Sequence, residues 1–149
     1  MATRAAESLL VDTSVLLEAS NRARRQHAVA LSLLEQRERL VFPAQVPREF
    51  LVVATRPADA NGLGLTLRDA LESLAAFRRN VRLLPEEKPL LPTLLGLLGE
   101  LSISGKKIHD AHLVAAALVH RVPAVVTLNT EDFRPFAGRV RCVTPAEAT

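Results

Sequence analysis

The chain has 149 residues and a formal net charge of +3, with 48% hydrophobic and 23% charged residues. This composition is that of a folded globular protein and excludes a disordered or fibrous chain. The length predicts a single domain spanning residues 1–149, which is large enough for a hydrophobic core that needs no disulfide or structural metal.

Cysteine usage and hydropathy predict the cellular compartment. Cys142 is the only cysteine, so neither an intramolecular disulfide nor a cysteine-based zinc site can form. Residues 1–7 lack the apolar run of a signal peptide. The most apolar stretch, residues 90–101, is interrupted by Pro92 and is shorter than the roughly 20 residues of a membrane span. We therefore expect a cytoplasmic protein without a membrane partner.

Arginine dominates the positive charge, because only Lys88, Lys106 and Lys107 are lysines. The planar guanidinium favours bidentate contacts with phosphate. A GC-rich genome explains the same bias equally well. The chain has no Trp or Tyr and five Phe, so an aromatic platform for stacking single-stranded bases is not expected.

Short apolar runs alternate with helical patterns along the whole chain. A short helix is expected after Asp12, and longer helices are predicted at residues 22–38, 47–56, 66–79, 87–101 and 109–120. Strands are predicted at residues 8–11, 40–42, 81–84, 124–127 and 140–143. This alternation predicts a three-layer α/β/α fold with a central parallel sheet of about four to five strands.

Asp12 directly follows the first predicted strand. Ligands of open parallel sheets bind outside the carboxyl ends of the strands, so this position favours a role in a site. An N-cap role for the short helix that follows explains the aspartate equally well.

Glu49 lies in the first turn of a predicted helix in which Pro47 takes the first helical position. A carboxylate there suits the positive end of the helix dipole. Its neighbours one turn later, Val52 and Val53, predict an apolar face, where a buried carboxylate needs a partner or a metal ion.

Asp110 shares a helical face with Leu113, Val114 and Ala117. This pattern predicts a charge at the edge of a buried apolar stripe, which favours a functional role.

Three histidines on the same predicted helix raise the alternative of a zinc site. His109 and His112 are three residues apart, and His120 falls on roughly the same side. The helix lacks the HExxH pattern, and zinc needs a further ligand with suitable geometry. Zinc is therefore the weaker interpretation.

Asn129 and Asp132 follow the fourth predicted strand, where they can reach the same edge of the sheet as Asp12. A turn that tucks Phe133 into the core explains this segment without a site. Carboxylate and amide oxygens gathered at one edge are nevertheless typical of a Mg²⁺ or Mn²⁺ site.

Four separated segments resemble the PIN-domain family, and within it the VapC-type ribonuclease toxins of type II toxin–antitoxin systems. They are LLVDTSVLLEA around Asp12, VPREFLVVATRP around Glu49, KKIHDAHLVAAAL around Asp110 and VVTLNTEDF before the last strand. The resemblance covers nearly the whole chain. It implies that Asp12 and Asp110 bind a divalent metal ion, that Glu49 completes the site, and that the chain hydrolyses RNA with Mg²⁺, for which Mn²⁺ can substitute.

One position departs from the family pattern. Many members carry an aspartate where this chain has Asn129, and Asp132 is the nearest carboxylate. An amide binds metal through its carbonyl oxygen but supplies no charge, so a second metal ion would bind more weakly. Either residue can serve as the fourth member of the catalytic set, and both one-metal and two-metal mechanisms stay open.

The resemblance also implies partners: RNA as the substrate, a second copy in a homodimer, and a cognate antitoxin whose tail enters the acidic cleft. Arg48, next to Glu49, is the candidate for holding the RNA backbone. The predicted helix at residues 87–101 is a candidate dimer contact, although a core helix explains it equally well. Two alternatives stay open, namely a PIN-like nuclease of RNA processing and a binding module with little or no catalysis.

Overall fold

The computed structural model describes residues 7–36 and 39–149. Within them, five parallel strands form one sheet in the order β3-β2-β1-β4-β5. The strands are β1 (Leu9–Val11), β2 (Leu40–Pro43), β3 (Val81–Leu84), β4 (Ala124–Val126) and β5 (Arg141–Val143). The predicted α/β fold with a central parallel sheet is therefore confirmed.

The helices pack in two groups, α1 to α4 with α7 and α5 with α6. The chain runs outward from β1 through β2 to β3 and then returns across the sheet to β4, so right-handed crossovers place the two groups on opposite faces. No helix in residues 7–36 and 39–149 is long and apolar enough to cross a membrane. The helices are α1 (Thr13–Ala19), α2 (His27–Leu34), α3 (Gln45–Thr55), α4 (Leu67–Arg78), α5 (Leu90–Leu101), α6 (Lys107–Val119) and α7 (Pro145–Ala148), with 3₁₀ helices at Ala58–Ala60 and Thr130–Phe136.

The core lies on the three central strands, β1, β2 and β4, whose residues are all buried. Burial on both faces of the sheet explains why the sequences of these strands are unbroken apolar runs. The phenylalanines Phe42, Phe50, Phe133 and Phe136 are among the largest fully buried side chains. Phe50 also meets Phe77 edge-to-face with 5.7 Å between ring centroids, which joins α3 to α4.

The strand order reverses between β1 and β4. The connections after β1 lead towards β3, whereas β4 and β5 lie on the other side of β1. Such a switch point leaves a crevice at the carboxyl ends of the two strands that the crossover helices do not cover. In parallel sheets of this kind, the crevice where β1 and β4 end is the usual position of a ligand site.

The predicted helix at residues 22–38 is wrong in its first part. The side chain of Asn21 accepts a hydrogen bond from the Ala23 N–H at 3.0 Å, and buried Glu18 accepts one from the Gln26 N–H at 3.0 Å. These local side-chain bonds hold a turn in place of a helix, so α2 begins only at His27. The predicted end at Glu38, like residues 1–6, lies outside the described residues.

The helix α3 begins at Gln45, two residues before the predicted start at Pro47. Pro47 is still in the first turn, where its missing N–H costs no hydrogen bond. Glu49 is therefore the fifth residue of α3 and not the third. The other predicted element boundaries differ from the observed ones by three residues or fewer.

The burial of Phe50 predicts a large effect on stability. Phe50→Ala removes a fully buried ring and its edge-to-face contact, so we expect it to lower the free energy of unfolding by about 3–5 kcal/mol. Val52, two residues on in the same helix, is 53% exposed, and Val52→Ala should change stability by less than about 0.5 kcal/mol. Urea unfolding of the two variants measures both values, and equal destabilisation would contradict the packing of α3.

Candidate active site

Asp12 is placed by the pairing of β1 with β4. Val11 is paired with Val126, so the residues that follow them, Asp12 and Thr127, lie side by side at the carboxyl edge. The Thr127 hydroxyl donates a hydrogen bond to Asp12 Oδ2 at 2.7 Å. Asp12 occupies the N-cap position of α1, but its side chain makes no capping hydrogen bond. The Asp12 carboxylate therefore accepts a hydrogen bond from Thr127 across the crevice and does not cap α1.

Ser14 and Thr127 form a small hydroxyl cluster around this carboxylate. Ser14 Oγ donates to Asp12 Oδ2 at 2.8 Å and accepts the Leu128 N–H at 3.1 Å. Thr127 Oγ1 in turn accepts the Asn129 N–H at 3.0 Å. These bonds fasten the segment after β4 to the start of α1, so the two sides of the crevice are held together.

Glu49 is half-buried and held through both of its oxygens. Gln45 Nε2 donates to Oε1 at 2.8 Å and Thr13 Oγ1 donates to Oε2 at 3.2 Å, while His109 Nδ1 lies 3.4 Å from Oε1. The sequence predicts that Glu49 lies on an apolar face. This prediction is wrong in part, because Val52 is exposed. Glu49 is stabilised by polar neighbours from α1, α3 and α6 and not by an apolar wall.

Asp110 lies in the first turn of α6 and is half-buried, at the edge of the buried stripe that the sequence predicts. Burial, together with the negative charges of Asp12, Asp132 and Glu49, raises the pKa of its carboxyl to about 6, while Lys107 opposes the rise. The structure thus brings Asp110 close enough to three other carboxylates for their charges to interact.

Burial also raises the pKa of Asp12, and the charge of Glu49 adds to this effect. The hydroxyls of Thr127 and Ser14 favour the ionised form and oppose the rise. Asp12 and Asp110 are therefore two buried or half-buried carboxylates whose charges are costly until a cation compensates them.

Asp132 and Asn129 differ in how they face this cluster. Asp132 is exposed, and its charge contributes to the raised pKa of Asp110. Lys107 Nζ lies 3.9 Å from Asp132 Oδ1 and donates to the Asp132 carbonyl at 3.1 Å. Asn129 is exposed, and its side chain makes no capping bond to the 3₁₀ helix that follows. The choice of fourth site residue stays a prediction.

The donor set fits a hard divalent cation by its chemistry. In the described part of the chain, no three His, Cys, Asp or Glu side chains lie close enough to form a closed ligand group. The carboxylates nevertheless interact through their charges. Mg²⁺ is commonly held by one or two carboxylates and retains several waters, so a loose oxygen-rich set suits it better than Zn²⁺, which needs close tetrahedral ligands.

The histidines of α6 do not gather as a zinc site would require. His109 is next to Glu49, whereas His112 and His120 line a separate cleft together with Gln45 and Arg48. Burial lowers the pKa of His112, and the charge of Arg48 contributes to the lowering.

Four residues that contact the carboxylates were not predicted as site residues: Thr13, Ser14, Gln45 and Thr127. Ser14 lies three residues after the first predicted strand and Thr127 is the last residue of the fourth, so both lie near the edge of the sheet that singled out Asp12. Gln45 precedes Glu49 by one helical turn, but a helix predicted to start at Pro47 places it outside the helix.

The raised pKa of Asp110 predicts a pH-dependent cost to stability. Because the folded-state pKa of about 6 lies above the ordinary 3.8, the folded protein binds the proton more tightly, and stability falls as pH rises from about 4 to 6. We expect Asp110→Asn to raise the melting temperature in EDTA at pH 7.5, and the gain to disappear near pH 4.

Asp59→Asn is the matched control for this measurement. Asp59 is exposed in the 3₁₀ helix that follows α3. The 11 residues of α3 separate it from the carboxyl edge. Thermal unfolding of Asp59→Asn should show no gain that depends on pH, and a gain equal to that of Asp110→Asn would contradict the electrostatic interpretation.

Comparisons with known proteins agree with this architecture. The chain superposes on VapBC-1 from nontypeable Haemophilus influenzae with a TM-score of 0.67 at 15% identity, over 93% of this chain and 98% of that one. For Mycobacterium tuberculosis VapC20, a sarcin–ricin loop cleaving toxin, the TM-score is 0.65 at 18% identity, and the superposition covers 90% of this chain and 99% of that one. For a toxin–antitoxin complex from Klebsiella pneumoniae, the TM-score is 0.60 at 23% identity, with 93% of this chain and 98% of that one covered.

Sequence comparison identifies the family. A search of curated proteins finds no significant match. The sequence profile of the PIN domain, however, matches residues 9–138. This range contains all five acidic or amide residues predicted for the site, and the solved structures share the fold independently. The chain therefore belongs to the PIN domain family.

Proposed function

We propose that the chain is a metal-dependent endoribonuclease and the toxin of a toxin–antitoxin pair. The observation that carries the proposal is the set of carboxylates gathered at the carboxyl edge of β1 and β4, where burial and the neighbouring negative charges together raise the pKa of Asp110 to about 6. Uncompensated buried charge costs stability and is retained where a site needs it. Membership of the PIN domain family supports the same conclusion.

Asp12 and Asp110 are the residues that we expect to hold Mg²⁺ or Mn²⁺, directly or through water, with Glu49 completing the set. When bound, such an ion lowers the pKa of water and neutralises the charge that builds up on a phosphodiester. Asn129 or Asp132 serves as the fourth, outer residue of this metal-binding set. These assignments rest on the oxygen-only chemistry of the set and on the family resemblance.

The protein side chains around the carboxylates have separate tasks in this proposal. Gln45 and Thr13 fix the two oxygens of Glu49, which holds the carboxylate in one orientation for the attacking water. Lys107 at the edge of the site and exposed Arg48 supply positive charge for the RNA backbone. Preorganised polar groups of this kind stabilise charge without rearrangement.

The similar structures support the proposed partners. VapC20 is a sarcin–ricin loop cleaving toxin, and the Klebsiella pneumoniae structure is a toxin–antitoxin complex. We infer RNA as the substrate of this chain, a cognate antitoxin as its inhibitor, and cytoplasmic action. A homodimer is supported by Leu91 and Leu95, which are more than half exposed on α5 while Leu90 and Leu97 of the same helix are buried.

Cleavage of RNA by the purified protein tests the proposed activity. With Mg²⁺ or Mn²⁺ we expect cleavage that EDTA abolishes, and the double variant Asp12→Asn, Asp110→Asn should cleave at least about a hundredfold more slowly because it lacks the charged ligands. Asp59→Asn, which removes an exposed carboxylate away from the site, should retain full activity. Gel analysis of fluorescently labelled total RNA measures the cleavage in each of these samples.

Two results would overturn the proposal. Absence of cleavage by folded protein with either metal would indicate a binding module, and equal cleavage by the double variant would indicate a contaminating nuclease. Expression in growing bacteria separates a toxin from an RNA-processing nuclease. If the chain is a toxin, the wild-type protein arrests growth and the double variant does not.

Asn129→Asp tests the fourth position. The added carboxylate increases the ligand charge, so we expect Mn²⁺ to bind on the order of tenfold more tightly. Ala137→Asp adds the same charge just after the far end of the 3₁₀ helix Thr130–Phe136 and should leave Mn²⁺ affinity nearly unchanged. Titration followed by electron paramagnetic resonance measures both affinities. Equal affinities in wild type and Asn129→Asp would exclude residue 129 from the site.

A further inference from the structure

Lys107 reaches the carboxylate cluster, which comprises Asp12, Glu49, Asp110 and Asp132, from the start of α6. It is the first residue of this helix and lies three positions before Asp110, on the same side of the helix. Its Nζ donates a hydrogen bond to the Asp132 carbonyl at 3.1 Å and lies 3.9 Å from Asp132 Oδ1. Its positive charge also acts on the Asp110 carboxylate. The contact with the Asp132 carbonyl thus fixes a cation at the rim of the cluster.

Local stability does not explain a lysine at this position. The first turn is the positive end of the helix dipole, which disfavours a cation there. The ion pair with Asp132 adds little stability, because the two side chains are 43% and 56% exposed. The neighbouring Lys106 is exposed, whereas Lys107 is partly buried. The position of Lys107 beside the carboxylates therefore indicates a task in the site.

The charges of the cluster indicate what this task is. The four carboxylates act on one another through their charges, and the amide of Asn129 adds no further charge. One divalent ion compensates two of the four negative charges. The Lys107 ammonium compensates a third, whereas a second divalent ion beside it would give the set a net positive charge and be repelled. The charges of the cluster therefore match one divalent ion together with the ammonium group.

We propose that the Lys107 ammonium takes the place of a second divalent ion, so that the site holds a single Mg²⁺ or Mn²⁺. In this role Lys107 supplies fixed positive charge on the side of the cluster nearest Asp132, where an oxygen of the RNA phosphate can contact it. The inference rests on the proposed nuclease function, because it concerns the number of metal ions in the same site. It selects the one-metal mechanism from the two that the sequence leaves open.

Titration of the full-length protein with Mn²⁺ alone, followed by electron paramagnetic resonance, counts the ions. We expect the wild-type chain to bind one Mn²⁺ with the spectrum of an isolated ion. Lys107→Met removes the charge and keeps a side chain of similar length. It should bind a second Mn²⁺ at least about tenfold more tightly than the wild type does, because the repulsion is gone. Two ions that share carboxylates couple magnetically and broaden the spectrum.

Two further variants serve as controls for this titration. Lys106→Met removes the same charge from the neighbouring exposed position and should still bind one uncoupled Mn²⁺. Lys107→Arg keeps the charge and should also bind one. If Lys107 only fastens the 3₁₀ helix Thr130–Phe136 to α6, Lys107→Met lowers the melting temperature but still binds one ion, and the proposal is wrong. A second ion in Lys106→Met would show a general effect of net charge and would also overturn it.

Cleavage of RNA gives a second readout. At a Mn²⁺ concentration that fills only the first site, Lys107→Met should have a kcat on the order of a hundredfold lower than the wild type. Its activity should rise again as the second Mn²⁺ binds, whereas Lys107→Arg should stay close to the wild type throughout. Full activity of Lys107→Met with one ion bound would contradict the proposed role of the ammonium.

The titration separates failure of this inference from failure of the proposed function, since it needs no RNA. Two coupled Mn²⁺ ions in the wild type, together with metal-dependent cleavage, would leave the nuclease intact and exclude the role of Lys107. If neither the wild type nor Lys107→Met binds Mn²⁺, the proposed metal site is wrong and the inference is wrong with it.

Discussion

The parallel pairing of β1 with β4 is the constraint on which the site depends. Val11 and Val126 are paired, so Asp12 and Thr127 meet at the carboxyl edge with 2.7 Å between hydroxyl and carboxylate oxygens. Side chains alternate between the faces of a sheet, and a shift of the pairing by one residue would move this hydroxyl away. A buried carboxylate would then lose a partner that favours its ionised form.

The charged carboxylates of the site lower the stability of the folded chain. Burial and mutual repulsion raise the pKa values of Asp12 and Asp110, so both charges destabilise the folded chain at neutral pH without a cation. The central strands β1, β2 and β4, buried along their whole length, supply the compensating apolar burial. Asp12 therefore lies at the end of a fully buried strand, β1.

The sequence predicted the fold because the apolar strands and the capped helix α4 carry strong local signals. The observed bond from the Asp69 N–H to Thr66 Oγ1 is an example, at 3.1 Å. Asp12 and Asp110 were recognisable from strand ends and helix faces. Gln45 was not, since its importance comes from a contact with the His109 carbonyl 64 positions away. Long-range hydrogen bonds of this kind leave no periodic pattern in a sequence.

Gln45 links the geometry of Glu49 to the position of α6. Its Nε2 holds Glu49 and the first turn of α6, which also carries Asp110. Hydrogen bonds that share one amide polarise each other. The orientation of Glu49 and the position of the first turn of α6 are thus linked through a single buried side chain.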